Sequence, residues 1–178
     1  MLVITFYLIS AHPMKLIRYL VTPLAFSLLV GAATAQTGPT PQQAPKIAEI
    51  AVTMVQQVDG YQLDYSPESL KAVDRILLNL HNQGVSPQSI QKTVISLGCY
   101  VGEVMVRNLG YKWDLPSETE RAVGFSMIGV RDKKGGFSNP IGKVYKRVQN
   151  GQEDSVVFFY EVFSKSIVDS VEGASPAK

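Results

Sequence analysis

The sequence predicts an α+β fold with three N-terminal helices, a small antiparallel sheet of two or three strands, and one or two C-terminal helices. Two observations support this prediction. Through the first half of the chain, apolar residues recur at spacings of three and four, which is typical of amphipathic helices. Further on, glycines and β-branched residues surround a Gly-Gly turn, a composition that favours short strands, and helical spacing then returns.

Start and stop signals delimit the three N-terminal helices. The first is predicted over residues 46–58, with its apolar residues on one face. The second and third begin at Ser66-Pro67 and Ser86-Pro87, because Ser caps a helix and Pro suits its first turn. A glycine ends each helix, since glycine readily adopts the left-handed conformation found there. These glycines are Gly60, Gly84 and Gly110.

The second half of the chain has shorter predicted elements. Residues 123–128 are predicted to form a strand, residues 132–136 a turn, and the residues after them a second short strand. A helix begins at the Asn-Pro pair of residues 139–140 and ends at the Asn-Gly pair of residues 150–151. Val156–Ile167 fits a helix or a strand, and the acidic residues just before it favour the helix.

The N-terminal residues predict an export signal. Lys15 and Arg18 follow Met14 and form a basic region. An apolar run over residues 20–30 comes next, and it is too short and too poorly flanked to span a membrane. Residues 33–35 form a small-x-small cleavage site. The residues before Met14 either precede the true start or lengthen the basic region.

This signal determines the predicted domain organisation. Residues 1–35 comprise the upstream residues and the cleaved signal, so the mature chain is expected to begin at Gln36, in the bacterial periplasm or outside the cell. Residues 36–45 are polar and proline-rich and are predicted to be a flexible linker. Residues 46–171 form one globular domain, and residues 172–178 a disordered tail. After cleavage, no apolar run is long enough to span a membrane.

Charge and residue counts exclude several classes of function. The chain has 17 Lys and Arg against 15 Asp and Glu, and the signal contains two of the basic residues, so the mature charges balance. A neutral domain lacks the basic surface of a nucleic-acid-binding protein. Cys99 is the only cysteine and His81 the only mature histidine, which excludes disulfides within the chain and zinc sites with several Cys or His ligands. We predict no cofactor and no metal.

Five short motifs follow one another between Asp64 and Phe163. They are Asp64-x-Ser66-x-x-Ser69-Leu70, Gly98-x-Tyr100-x-Gly102-Glu103-Val104, Gly110-x-x-Trp113, Asn139-Pro140-Ile141-x-Lys143-Val144-x-Lys146-Arg147 and Asn150-Gly151-x-Glu153-Asp154-Ser155. In order and spacing they resemble an uncharacterised bacterial domain family, one of the domains of unknown function. The resemblance implies a small, mostly helical domain with a small sheet. It implies no activity, cofactor or catalytic residue.

The third predicted helix contains the main candidate site. Glu103 is predicted to lie opposite the apolar face, between Gly98 and Gly102 on one side and Arg107 on the other. A glycine inside a helix costs about 1 kcal/mol relative to Ala, so close approach of another chain or a ligand is expected to offset that cost. Either the glycines serve helix packing beside a Glu103–Arg107 surface pair, or they border a binding site. The candidate binding residues are Gly98, Tyr100, Gly102, Glu103, Arg107 and Trp113.

Other polar residues have a structural and a functional interpretation. Cys99 is predicted to be a packed thiol, since its use as a nucleophile would require His81 as the base. Asp74 is predicted to accept hydrogen bonds from a loop or an arginine. Six basic residues between Arg131 and Arg147 are accompanied by a single acidic residue, Asp132. They form either a solvated surface or a basic patch for an acidic partner. The basic patch comprises Arg131, Lys133, Lys134, Lys143, Lys146 and Arg147.

Three hypotheses for function follow. The first is an exported, non-catalytic domain that binds another protein of the cell envelope, as an inhibitor or immunity-type module. The second is a small hydrolase that uses Glu103 with Tyr100 or His81. The third is a carrier of an apolar or anionic small molecule near Glu103. A deep pocket converging on Glu103 would favour the second or third hypothesis, and a flat, partly apolar surface would favour the first.

Overall fold

The computed structural model describes residues 38–172, and it places the side chains of residues 38–167. The predicted signal, the mature N-terminus at Gln36 and residues 173–178 of the predicted tail lie outside the described residues. Among the helices of this part of the chain, none is both long enough and apolar enough to cross a membrane.

The described residues form six α-helices, three short strands and one 3-10 turn. In chain order these are α1 (Ala44–Asp59), α2 (Leu70–Asn82), α3 (Gln91–Leu109), β1 (Lys112–Asp114), α4 (Glu118–Ala122), β2 (Gly129–Arg131), β3 (Phe137–Ser138), α5 (Pro140–Asn150), the 3-10 turn Gly151–Asp154, and α6 (Val156–Glu172). The three strands pair antiparallel in the order β1-β2-β3. The predicted α+β class with a small sheet is therefore confirmed.

Helix α3 lies at the centre of the fold. Helices α1 and α5 make the most extensive contacts with it, and the sheet and α6 contact it as well. Every residue from Ser96 to Met105 is buried, including the polar Ser96 and Glu103. A helix that is buried all round has no exposed polar face. The prediction that Glu103 lies on a face opposite the core is therefore wrong.

Two glycines allow close packing against α3. A Cβ atom at Gly98 would lie 2.5 Å from the Cα of Ile141 in α5. A Cβ atom at Gly102 would lie 2.2 Å from Cη2 of Trp113 in β1. Both distances are too short for real atoms, so neither position has room for a methyl group. The predicted close approach is confirmed, and its partners are the chain's own α5 and β1.

The predicted strand at residues 123–128 is wrong. The short helix α4 occupies the preceding residues, and Val123 is its C-cap. The strand β2 begins only at Gly129. A capping box explains the difference, because the Ser117 hydroxyl accepts from Glu120 N at 3.2 Å and the Glu120 carboxylate accepts from Ser117 N at 2.7 Å. The Ser-x-x-Glu pattern of residues 117–120 is a helix signal. The strand was predicted instead because the residues after it are rich in Gly and β-branched side chains.

The first helix begins earlier than predicted. Its first residue is Ala44, whose side chain is fully buried, and Pro45 lies in its first turn. Ahead of it, Gln43 N donates to Thr40 O at 3.0 Å, and Gln43 Oε1 accepts from Thr40 N at 2.9 Å. The last residues of the predicted 36–45 linker are thus a turn and a helix start, because Ala44 packs into the core.

The C-terminal segment is a helix. α6 begins at Val156, and both Val156 and Tyr160 are buried in the core, so the favoured helical interpretation is confirmed. The acidic residues before it form the separate 3-10 turn rather than the first turn of α6. Glu172, the first residue of the predicted tail, is the last residue of α6.

Candidate functional site

The Glu103 carboxylate lies inside the protein. Its side chain is only 5% exposed. Trp113 Nε1 donates to Oε1 at 2.8 Å, and Arg107 Nε donates to Oε2 at 3.0 Å. Each carboxylate oxygen thus has a protein donor, as a buried acid requires. Glu103 therefore holds β1 against α3 rather than facing a substrate.

Tyr100 extends this network toward the residues before α2. Its hydroxyl accepts from Tyr65 N at 2.9 Å and shares a hydrogen bond of 2.6 Å with Ser69 Oγ. Tyr65 stacks on Tyr100 with ring centroids 4.9 Å apart. Cζ of the Arg107 guanidinium lies over the Tyr65 ring, 3.5 Å from its centroid. Burial raises the pKa of the Tyr100 hydroxyl, so it is not a base at neutral pH. The structure thus joins Tyr100, Glu103, Arg107 and Trp113 through Tyr65 in a packed joint between elements, and Gly102 adjoins it against the Trp113 ring. Gly98, the sixth candidate, packs on Ile141 of α5 instead.

Cys99 and His81 do not form a catalytic pair. Cys99 is fully buried, and burial raises its pKa to about 12, whereas a nucleophilic thiol needs a lowered pKa. His81 Nδ1 makes a hydrogen bond of 3.0 Å with Val148 O at the end of α5. The predicted packed thiol is confirmed. Among the described residues, neither Cys99 nor Glu103 forms a hydrogen bond with His81.

Asp74 accepts hydrogen bonds from an arginine and a helix start, which confirms its predicted role. Its Oδ2 accepts from Nη2 of Arg147, and its Oδ1 accepts from Val156 N at 2.8 Å. Arg147 is only 3% exposed, and its Nη1 donates to Gly151 O at 2.8 Å. Arg147 therefore joins α2, α5 and α6 in the interior, and its assignment to a surface basic patch is wrong.

Two further members of the predicted patch are neutralised. Arg131 pairs with Asp114 at 2.5 Å and with Glu120 at 2.9 Å, and Arg131 lowers the pKa of Glu120 to about 2. Lys143 pairs with Asp154 at 2.8 Å. The basic patch was predicted from charges that are close in sequence. The acidic partners Asp114, Glu120 and Asp154 lie on other elements, so that prediction did not include them. Lys133, Lys134 and Lys146 are exposed.

A surface groove that the sequence did not predict lies between β3, α5 and α6. We call it the aromatic groove, and its volume is about 330 Å³. It is lined mainly by four phenylalanines and two lysines, namely Phe125, Phe137, Phe159, Phe163, Lys143 and Lys146. Asp154 also lines it and forms the ion pair with Lys143. The i, i+4 spacing of the two α6 phenylalanines was the available signal, but it equally describes a core face.

Helix α6 extends the aromatic groove outward as an apolar surface. Phe158 is 62% exposed and Val162 is 47% exposed. At about 100° per residue, Phe159 lies between the buried face of α6 and Val162, and Phe158 lies beyond Val162. The apolar arc of α6 is therefore wider than the face that the core covers. We call Phe158 and Val162 the outer face of α6.

A second cleft lies between the starts of α3 and α5. Its volume is about 370 Å³, and its lining includes Val94, Ile141, Met127 and Tyr145 but no charged side chain. Glu103 is not in its wall. A site of the kind that the hydrolase and carrier hypotheses require would converge on Glu103, and this cleft does not. Within residues 38–167, no group of three or more His, Cys, Asp or Glu side chains is placed to hold a metal ion.

Comparison of the chain with models of known families, with curated proteins and with solved structures finds no match. The resemblance to an uncharacterised bacterial domain family therefore stays a prediction. The observations that bear on function are the geometry of the packed joint, the aromatic groove and the outer face of α6.

Proposed function

We propose that the chain is an exported, non-catalytic protein-binding domain of the bacterial cell envelope, acting as an inhibitor or immunity-type module. The observation that carries this proposal is the outer face of α6 beside the aromatic groove. Apolar side chains that are contiguous on a surface mark interaction sites, and aromatic residues are enriched at the centres of protein interfaces.

The state of the polar residues supports a non-catalytic role. Both oxygens of Glu103 accept hydrogen bonds from the chain itself. Burial raises the pKa of Cys99 and of Tyr100, which keeps both groups protonated and unreactive at neutral pH. The groups that a hydrolase would use are thus engaged in holding α3, β1 and the residues before α2 together.

Export is tested by N-terminal sequencing of the protein from the envelope fraction of the source bacterium. The signal that begins at Met14 predicts a mature N-terminus at or near Gln36. A product that retains Met1 in the cytoplasm would contradict the export part of the proposal.

Protein binding is tested with a photo-cross-linking amino acid at Val162 in intact cells. The matched control carries it at Val58, another exposed valine on a different helix, which is 83% exposed. We expect a discrete adduct with one protein from position 162 and none from position 58. The partner is then purified, and Phe158→Asp is expected to weaken its binding where Val58→Asp does not. Equal adducts from both positions, or no adduct from position 162, would contradict the proposal.

A further inference from the structure

We propose that the partner contributes an acidic segment with apolar side chains, which lies along the aromatic groove and places a carboxylate on Lys146. This inference rests on the proposed protein-binding function and names the kind of partner that the same surface takes. It follows from the charge of the groove, the arrangement of its two walls, and the extent of the apolar surface beside it.

The aromatic groove has an excess positive charge. Two lysines line it against Asp154 alone. Lys143 and Asp154 form an ion pair at 2.8 Å, and each side chain is 17% exposed, so this pair is neutral and partly shielded. Lys146 is exposed and forms no ion pair with a described residue, although its charge also acts on the Asp154 carboxylate. One carboxylate for two lysines leaves one excess positive charge in the groove, and the exposed Lys146 presents it to an acidic group.

The two walls of the groove have different chemistry. Lys143 and Lys146 are three residues apart on α5, so their side chains share one face of that helix. Phe159 and Phe163 are four residues apart on α6 and form the wall that this helix contributes, with ring centroids 4.9 Å apart. A segment with carboxylates on one side and apolar side chains on the other matches both walls at once. Complementary charge at the edge of an apolar contact fixes the orientation of the partner.

The extent of the apolar surface favours a protein segment over a small acid. An aromatic carboxylate could occupy the groove, but it would leave Phe158 and Val162 in water. These two side chains continue the apolar arc of α6 beyond the groove. A protein partner that follows the groove covers both and gains the corresponding apolar area.

Two fluorescein-labelled peptides test the inference on the purified mature chain by fluorescence anisotropy. One peptide is composed of Leu, Phe and Glu, and the other has Lys in place of every Glu. We expect the acidic peptide to bind and the basic one to bind at least about tenfold more weakly. Lys146→Glu should weaken the acidic peptide by about tenfold, while Lys92→Glu, the same charge change at an exposed site on α3, should leave it unchanged.

Several outcomes would overturn the inference. They include no binding of the acidic peptide, equal binding of the two peptides, or equal effects of Lys146→Glu and Lys92→Glu. Self-association of the chain that Lys146→Glu abolishes would instead assign the groove to a second copy. The protein adduct from Val162 keeps the two proposals separate. If that adduct forms and Lys146→Glu leaves its yield unchanged, the protein-binding function stands and the acidic segment is wrong.

Discussion

The packed joint around Glu103 and the aromatic groove beside α6 differ in where their side chains find partners. The joint contains a carboxylate, a guanidinium and an indole, the residue types associated with binding sites, yet every one of these groups has a partner within the chain. The groove contains phenylalanines, the residue type associated with a core, yet it is open. Residue type alone therefore does not separate a site from a core, and the position of partners in space does.

This difference has one cause. Polar groups in the interior require hydrogen-bond partners, so a motif rich in polar residues is well suited to joining buried elements. Apolar groups on the surface gain nothing until another molecule covers them. The expected effects of substitutions on stability and on binding are therefore opposite in the two regions. Changes at interior joints should lower stability strongly, and changes at the groove and the outer face of α6 should lower binding while stability stays constant.

The largest loss of stability is expected at the joint between α2, α5 and α6. Asp74→Ala removes the acceptor for Arg147, which is 3% exposed, and for Val156 N. Removing one partner of a buried ion pair typically costs about 3–5 kcal/mol, because it leaves an uncompensated charge in the interior. Urea denaturation of the variant measures this free energy of unfolding.

The control for this prediction is another ion pair that includes a residue of α2. Lys71 pairs with Glu68 at 2.7 Å, but both side chains are well exposed. Lys71→Ala should change the free energy of unfolding far less than Asp74→Ala, because water screens an exposed pair. If Asp74→Ala were no more destabilising than Lys71→Ala, the buried contacts of Asp74 would not hold α2, α5 and α6 together. The expectation that interior polar contacts determine stability would then be wrong.

A smaller loss is expected from Gly102→Ala. The new methyl group would meet the Trp113 ring at 2.2 Å, and the ring cannot move without breaking its hydrogen bond to Glu103. Overpacking of this kind costs about 1–3 kcal/mol. A glycine in an exposed helix would give the opposite sign, because Ala is the better helix former by about 1 kcal/mol. A guanidinium titration that shows increased stability would disprove the close approach of Trp113 to α3.

The sequence was sufficient to place five of the six helices, but it missed α4 and was insufficient for these joints. Gly60 and Gly110 have φ of 68° and 73°, so a local conformational need explains why the glycine signals located the ends of α1 and α3. The partner of Asp74 lies 73 residues away, and no local pattern identifies it. The same limitation placed Arg147 on the surface. Periodicity describes which residues share a face, and only the tertiary fold decides what covers that face.

A pH-dependent effect is expected where Arg131 joins α4 to the sheet. The ion pair with Arg131 lowers the pKa of Glu120 from 4.5 to about 2. Because the folded-state pKa is the lower one, this contribution to stability is fully present above pH 4.5 and is lost as the pH falls toward 2. Glu120→Gln should therefore destabilise the protein at neutral pH and have less effect near pH 2.

Urea denaturation of both proteins across this pH range measures the effect. Glu118→Gln is the matched control, since Glu118 is an exposed residue of the same helix without the Arg131 pair. The difference between Glu120→Gln and the parent chain should shrink as the solution is acidified. A difference that is independent of pH would mean that the ionised Glu120 carboxylate, which Arg131 and the Ser117 N–H both hold, contributes nothing to stability in solution.

The smallest effect on stability is expected at the outer face of α6. Phe158→Ser and Val58→Ser replace exposed apolar side chains, 62% and 83% exposed respectively, and each should change the free energy of unfolding by no more than about 0.5 kcal/mol. Their effects on partner binding should differ. Phe158→Ser removes apolar area beside the aromatic groove and should weaken binding of the cross-linked partner by about tenfold or more, as for a side chain at the centre of an interface. Val58→Ser should leave binding unchanged.

Because both variants keep the parent stability, a loss of binding in one alone cannot come from unfolding. Equal binding by both variants would show that the outer face of α6 does not contact the partner. The proposed difference in role between this face and the packed joint would then be wrong.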